Sequence, residues 1–429
     1  MAVETTTAAP APSVLKGLEG AAWRIPLSTR RLFLAIAAGV VGALLVSSLA
    51  AAWVASRNAD TIADARSTGL DVARAATEFR THLAAADAQA ASTLLSGGLE
   101  APDTREDYVT NLAAASGALT DAALVATDDD RADIEQLSRG LTQYAGLVET
   151  ARANARQGFP VGAAYLGQAR SLARDELVPL ADHLRRVGEQ RVARAANSIG
   201  GPIGAAAIIL LLLALAVLLA SAGLIAGRSR RLTHPALLAA MLASFLALLA
   251  VTRGIVAQSS ELRSAATTDI DAYVAANDAA FTLSNLRVTE ISAVAAHGSG
   301  GPLYDEFTSS ASDLVAGLGS ESRGAVQAYV DAVDQVRATD VEDGDNRAAA
   351  QLTLGDFEDQ SRRDSSSGGL FLTADARTAD DVDSTFADLS DRYDEAAASG
   401  IEPWVPVVLG FVAAGLAAAG TLARARRYR

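Results

Sequence analysis

The chain has no cysteine among its 429 residues. No disulfide can brace it and no thiolate can act as nucleophile or soft metal ligand, so its stability has to come from packing. Histidine is almost as scarce: His82, His183, His234 and His297 stand singly, without the i, i+4 pairing of a zinc helix. His82 and His183 can meet inside the first helical domain beside Asp182, although a solvated position suits each better. Aromatics make up 5% of the residues, and lysine occurs once, as Lys16. Gly298-Ser-Gly-Gly301 lacks the Lys-Ser/Thr of a phosphate loop and follows no strand pattern, so it reads as a turn. Asp128–Asp130 lacks the central glycine and closing glutamate of a calcium loop, and reads as a helix cap instead. These absences leave no catalytic constellation. The expectation is a non-enzymatic protein with no cofactor and no resident metal.

Charge is also missing from the interiors of four apolar stretches, 31–55, which opens on Arg31, 203–226, 232–252 and 404–422. Each has the roughly 20 residues a helix needs to cross about 30 Å of hydrocarbon. With no ionisable group in their interiors, ion or proton transport is disfavoured. Small residues such as Gly39, Gly42, Gly410, Gly415 and Gly420 suit close helix packing there.

The flanking charges orient the spans. The tail 1–30, the hairpin 227–231 and the tail 423–429, with Arg31 at the first boundary, carry 11 basic residues against Glu4 and Glu19. The long segments are acidic: 56–199 has 15 Arg against 20 acids, and 254–403 has 9 against 28. Basic residues in short loops mark the cytoplasmic side. Both termini and the hairpin are therefore expected in the cytoplasm of a plasma-membrane protein, with 56–199 and 253–403 outside. The net −14 argues against a nucleic-acid partner, and the basic edges suit anionic lipid headgroups. Cleavage of the first span as a signal peptide is disfavoured, because its charged lead-in and apolar run are both too long.

The long segments carry helical periodicity. Ile134, Leu137, Leu141, Tyr144, Val148 and Ala151 step by three and four. Similar stripes run through Tyr108–Ala122 and Leu166–Val187, with a looser one at Ile62–Leu83. Breaks at Gly97-Gly98, Thr127–Asp130 and Gln157–Pro160 separate four helices, and Pro179 should kink or restart the fourth. The expected fold is all-α: four transmembrane helices and two tandem extracytoplasmic four-helix bundles. The second bundle reads as a copy of the first. Gly97-Gly98…Pro102…Tyr108 parallels Gly298…Pro302…Phe307, and the segment from Gln143-Tyr144 parallels that from Ala328-Tyr329. The copies differ at 356–383, a polar, acidic stretch expected to be a mobile surface excursion or a binding loop.

Two features bear on mechanism. Gly200-Gly201-Pro202 and Gly400…Pro403 sit where the last helix of each bundle enters its exit span, and a Gly/Pro joint permits bending there. Arg228, Arg230 and Arg231 in the hairpin are the candidate cytoplasmic contact. The N-terminal tail adds a weakly amphipathic patch around Val14–Trp23 that suits the membrane surface or a docked protein. So little chain inside the cell cannot fold as a kinase or cyclase.

A span leading into four outer helices and back into a second span resembles the sensor of bacterial chemoreceptors. Doubled and stripped of output modules, the whole chain resembles the actinobacterial four-span relay proteins. That family is associated with a glutamine/aspartate-type solute-binding lipoprotein and protein kinase G. The resemblance implies that a loaded solute-binding lipoprotein engages the outer domains, which report amino-acid or nutrient status to a cytoplasmic serine/threonine kinase or adaptor. It rests on topology, size and duplication, and transfers no residue role. Two other readings stay open: direct small-molecule sensing in the bundle cores or at a homodimer interface, and a scaffolding role in the cell envelope.

Overall fold

The computed structural model describes residues 29–95, 102–229, 235–355 and 360–425. Among them every regular element is helical. Fifteen α-helices run in chain order: α1 (Thr29–Asp64), α2 (Asp71–Ala91), α3 (Pro102–Val125), α4 (Asp128–Arg156), α5 (Val161–Leu172), α6 (Val178–Ser198), α7 (Pro202–Ser229), α8 (Pro235–Ser264), α9 (Ile270–Ala295), α10 (Gly301–Gly317), α11 (Ser320–Arg337), α12 (Asn346–Leu354), α13 (Gln360–Asp364), α14 (Ser367–Ala398) and α15 (Trp404–Ala425). The all-α expectation holds. Four helices are long and apolar enough to span a bilayer, in α1, α7, α8 and α15, which makes this a multi-pass membrane protein.

The helices sort into two compact units. One comprises 1–52, 207–249 and 404–429. Its interior joins Phe33, Val40 and Leu44 of α1 to Ala214 and Leu218 of α7, Leu237 and Ala240 of α8, and Ala413, Ala414 and Ala417 of α15. The hydroxyls buried there return to their own helices. Ser48 donates to the Leu44 carbonyl at 2.7 Å and Thr421 to that of Ala417 at 2.9 Å, so neither hydroxyl is left unpaired in an apolar setting. Leucines such as Leu49, Leu213 and Leu242 point outward, as lipid-facing residues would. The small-residue expectation holds in part. A side chain at Gly410 would collide with Ser48 and one at Gly420 would press on Leu237, whereas Gly39, Gly42 and Gly415 face open space.

The other unit comprises 53–206 and 250–403. Helices α2–α6 surround a core of Phe79, Leu83, Tyr108, Leu137, Tyr144 and Leu166. Helices α9–α14 surround Leu286, Phe307, Val326, Tyr329, Val336 and Phe371. The two bundles also share a core. Ile62, Leu70, Val192 and Ile199 interleave with Leu262, Ile270, Tyr273, Leu389 and Tyr393, and α2 packs along α9.

Elements recur between the halves. A π-helical turn at Ala65–Leu70 links α1 to α2, and one at Ala265–Asp269 links α8 to α9. Such a turn inserts one extra residue and rotates the apolar stripe. This explains the loose spacing: the stripe steps three residues and then five, through Ile62, Ala65 and Leu70 and through Leu262, Ala265 and Ile270, before regular helical steps resume. A third π-turn, Ala173–Leu177, absorbs Pro179, which then sits in the first turn of α6 where its missing N–H costs nothing. The cap at Asp128–Asp130 takes the expected form. Thr127 and Asp130 make a capping box, and Arg191 of α6 clamps Asp130 with bonds of 2.7 and 2.8 Å. Burial alone would raise the Asp130 carboxyl, but the Arg191 and Thr127 hydrogen bonds outweigh it and hold the pKa below the usual range.

One expectation is overturned. Most of 356–383 belongs to helix α14, which runs unbroken to Ala398 from a Ser366 cap whose hydroxyl accepts from the Gly369 amide at 3.1 Å. Phe371, Ala374 and Thr378 are buried along its inner face. They recur at i, i+3 and i+7, a stripe hidden in the sequence by the acids between them. Residues 356–359 of that stretch lie outside the described residues.

Candidate signalling site: the joints and the buried links between bundles

The two exit joints are built differently from the two incoming helices. Helices α1 and α8 are unbroken through the level of residues 53–58 and 250–259, whereas α6 and α14 stop short of α7 and α15. After Ser198, Ile199 turns extended and buries its side chain in the shared core. Gly200 takes φ +76°, a left-handed conformation that a side chain would strain. The Gly201 amide bonds the Ser198 carbonyl at 3.3 Å, and Pro202 opens α7. At the second joint a Cβ on Gly400 would run into Gln258 Nε2, so a side chain there would have to push that amide aside. Pro403 stands immediately before α15, which opens at Trp404.

Both joints close on the same turn and a half of α8. Ile401 packs on Gly254, Gly204 on Ile255, Gly400 on Gln258 and Gly200 on Ser259. Gln258 in turn accepts a 3.3 Å hydrogen bond from Asn58 of α1. Asn58, Gln258 and Ser259 are all buried. The hinge residues expected from sequence are thus brought to one level, and their contact partners on α8 are new. The available signal was a polar residue at matching positions, 58 and 258, just past each incoming span. Of the candidate cytoplasmic contacts, Arg228 lies in the last turn of α7, with nothing described of its side chain; Arg230 and Arg231 fall outside the described residues. The N-terminal patch around Val14–Trp23 also lies outside them.

Further along the unit, buried cations tie the bundles together. Arg80 of α2, 5% exposed, bridges Asp182 of α6 at 3.1 Å and Asp278 of α9, with its guanidinium 4.6 Å from the Phe281 ring centroid. His82 and His183 do not converge. His82 bonds the Asn111 side chain at 3.0 Å, and His183 is mostly exposed beside Asp133. Asp182 serves Arg80 instead.

Each bundle core also holds an acid, a tyrosine and an arginine. In the second, the Tyr329 hydroxyl donates to Glu290 at 2.9 Å. Arg287 reaches Glu290 at 2.6 Å, Ser367 at 3.2 Å and the Thr353 carbonyl at 3.0 Å. Ser367 donates to the other Glu290 oxygen, so the carboxylate, itself 0% exposed, is fully served. Burial first, and the Glu290 charge second, push the Tyr329 phenol well up, so it stays a donor. In the first bundle Tyr144 donates to Asp87 at 3.0 Å, with Arg170 alongside. Sequence comparison aligns Tyr144 with Tyr329, but cannot supply the acids they meet.

A cavity of about 570 Å³ opens where the bundles adjoin, lined from one by Gln89 and Asp107 and from the other by Arg287, Phe371 and Arg377. That volume is in the range of small-molecule sites. Among the described residues no group of three or more His, Cys, Asp or Glu converges as a metal requires.

No curated protein and no solved structure matches the chain. Residues 60–197, the first bundle, match the family model of the actinobacterial sensor domain, and with four membrane-length helices this supports an actinobacterial membrane sensor.

Proposed function

We propose that the protein is a non-enzymatic transmembrane relay. It takes up amino-acid or nutrient status from an extracytoplasmic solute-binding lipoprotein and passes it to a cytoplasmic serine/threonine kinase or its adaptor. The observation that carries this reading is the convergence of both jointed exit helices on Gly254–Ser259 of the unbroken α8. A change in the seating of α2 between α6 and α9, which Arg80 couples, reaches Ile199 and Tyr393 in the shared core. From there a jointed exit helix is free to change angle, while an unbroken incoming helix is not. The output is a new disposition of the short basic segments around Arg228–Arg231.

The partner claim is tested by crosslinking intact cells and identifying by mass spectrometry what is captured on each face. A substrate-binding lipoprotein outside together with a kinase inside is the expected result. Capture of only cell-wall or division proteins would sink the relay. The joints are tested separately. Gly400→Ala should lower signalling output several-fold at normal expression, because the added methyl drives Gln258 off Asn58. The triple change Gly200→Ala, Gly201→Ala, Pro202→Ala should do the same by making the first joint a continuous helix. Unchanged output in both would remove the joints from the mechanism.

Direct sensing is a second reading, favoured by the cavity of about 570 Å³ between the bundles. It predicts a ligand-induced rise in melting temperature without any partner protein.

A further inference from the structure

We infer that the exposed face of α3 pairs with the same face of a second copy of the chain. Helix α3 turns Tyr108, Ala115, Leu119 and Ala122 into the core of the first bundle. Its opposite face carries Thr110, Ala113, Gly117, Thr120 and Leu124, all exposed. They step by three, four, three and four, the spacing of a seam between two packed helices. Leu124 is 80% exposed, the most of any large hydrophobic among the described residues, and Val109 at the edge of the seam is half exposed. A helix that is apolar on both faces is one that something covers.

The Thr120 hydroxyl donates to the Ser116 carbonyl at 3.0 Å, so Thr120 is free to present its methyl group. From Tyr108 to Ala126 the single charged residue is Asp121, one position past Thr120 and to the side of the seam. Gly117 stands at the middle of the seam, and a Cβ there would meet nothing within 4 Å. Glycine weakens a helix interior relative to alanine, and it suits a place where a second backbone comes close. The matching helix of the second bundle has a different surface. Helix α10 has 17 residues against 24 in α3, and its exposed face carries Asp305, Glu306 and Asp313.

Charge selects the occupant. In a two-fold pair one surface meets itself, so a charged face repels its own copy and an uncharged one does not. The segments 56–199 and 254–403 carry 20 and 28 acids against 15 and 9 Arg, and the face of α3 is free of that excess. A partner of opposite charge would be drawn instead to acidic faces such as that of α10. The seam from Thr110 to Leu124 spans about 21 Å, or two heptads. That is short for chains free in solution, but copies held in one membrane meet at a higher effective concentration. Small residues at Ala113 and Gly117 let the helix axes approach to about 8 Å. The pairing uses no residue of the joints or of the α2–α9 contact, so it does not rest on the identity of any relay partner.

The absence of cysteine makes the test direct. Gly117→Cys places a thiol at the middle of the seam, where it meets its own copy whether the two helices run parallel or antiparallel. In membranes holding the full chain, a short bismaleimide should link this variant into a product of twice the 44.0 kDa chain mass. Ser312→Cys, on the exposed face of α10, is the control and should stay monomeric. Adding Ala113→Glu and Thr120→Glu to Gly117→Cys sets like charges against like in either arrangement, and should cut the linked product about tenfold or more. All these positions are exposed in the single chain, so none of the changes disturbs a packed core. Linkage no greater than in Ser312→Cys, linkage that survives the two glutamates, or a product holding a different protein would overturn the pairing.

Discussion

Glu290→Gln should destabilise the second bundle by about 3–5 kcal/mol, the largest effect expected of any single substitution in the chain. Glu290 is 0% exposed and takes hydrogen bonds from Arg287, Tyr329 and Ser367. Removing its charge strands the Arg287 guanidinium, 6% exposed, without a counter-ion. The Tyr329 ring sits edge-on to Phe307 and Phe371, at 5.8 and 5.7 Å, so loss of the anchor loosens the aromatic centre of the core as well. Replacing both ions at once, Arg287→Met with Glu290→Leu, should recover most of the loss, because desolvation of the pair then no longer has to be offset. Thermal unfolding of the full chain in nanodiscs reads both. A shift in the single variant worth less than about 1 kcal/mol would mean that water reaches Arg287, contrary to the packing.

Asp375 should make the same unit more stable in mild acid. Burial pushes its carboxyl up to about 6; His82 opposes the shift and Asp107 adds to it. Asp375 lies on α14, His82 on α2 and Asp107 on α3, so the group sits where the bundles adjoin. A raised carboxyl pKa means that the folded state holds the proton more tightly than the unfolded chain does. The stabilisation is complete below about pH 4, declines as pH rises toward 6 and is gone above it. The expected loss over that window is about 1–3 kcal/mol. Asp375→Asn should remove this component of the pH dependence and raise the melting temperature near neutral pH. An unchanged difference between wild type and variant from about pH 4 to about pH 7 would show that Asp375 is solvated in the folded state. Since the pair of faces that Asp375 separates belongs to both bundles, the same titration should alter how firmly they adhere.

Some of this architecture was readable residue by residue. The spans were legible because lipid imposes a length and an absence of charge. The stripe Ile134–Ala151 was legible because a helix with one buried face repeats its apolar residues every three to four positions. Gly200 and Gly400 stood out because glycine before proline at a helix end is a local signal. Helix α14 was not legible, since acids on its outer face outnumber Phe371, Ala374 and Thr378 on its inner one. The stripe also had no tertiary partner to reveal it until Tyr329 and Arg287 were placed beside Phe371.

The buried links could not be read at all. Arg80 with Asp278, Asn58 with Gln258, and Arg170 with Ser292 are 198, 200 and 122 residues apart in sequence. An arginine on a helix is ordinarily a solvated residue, and only the packing of α2 on α9, with α5 and α6 beside it, takes these from water and gives them partners. The sequence alone therefore determined what local pattern and solvent preference dictate: four membrane helices, an all-α remainder, and where the helices break. The tertiary structure decided that the two bundles share one core, that both joints close on Gln258 and Ser259, and that arginines far apart in sequence are buried against acids. Those features depend on which helix faces meet, and a face has no identity until a second helix covers it.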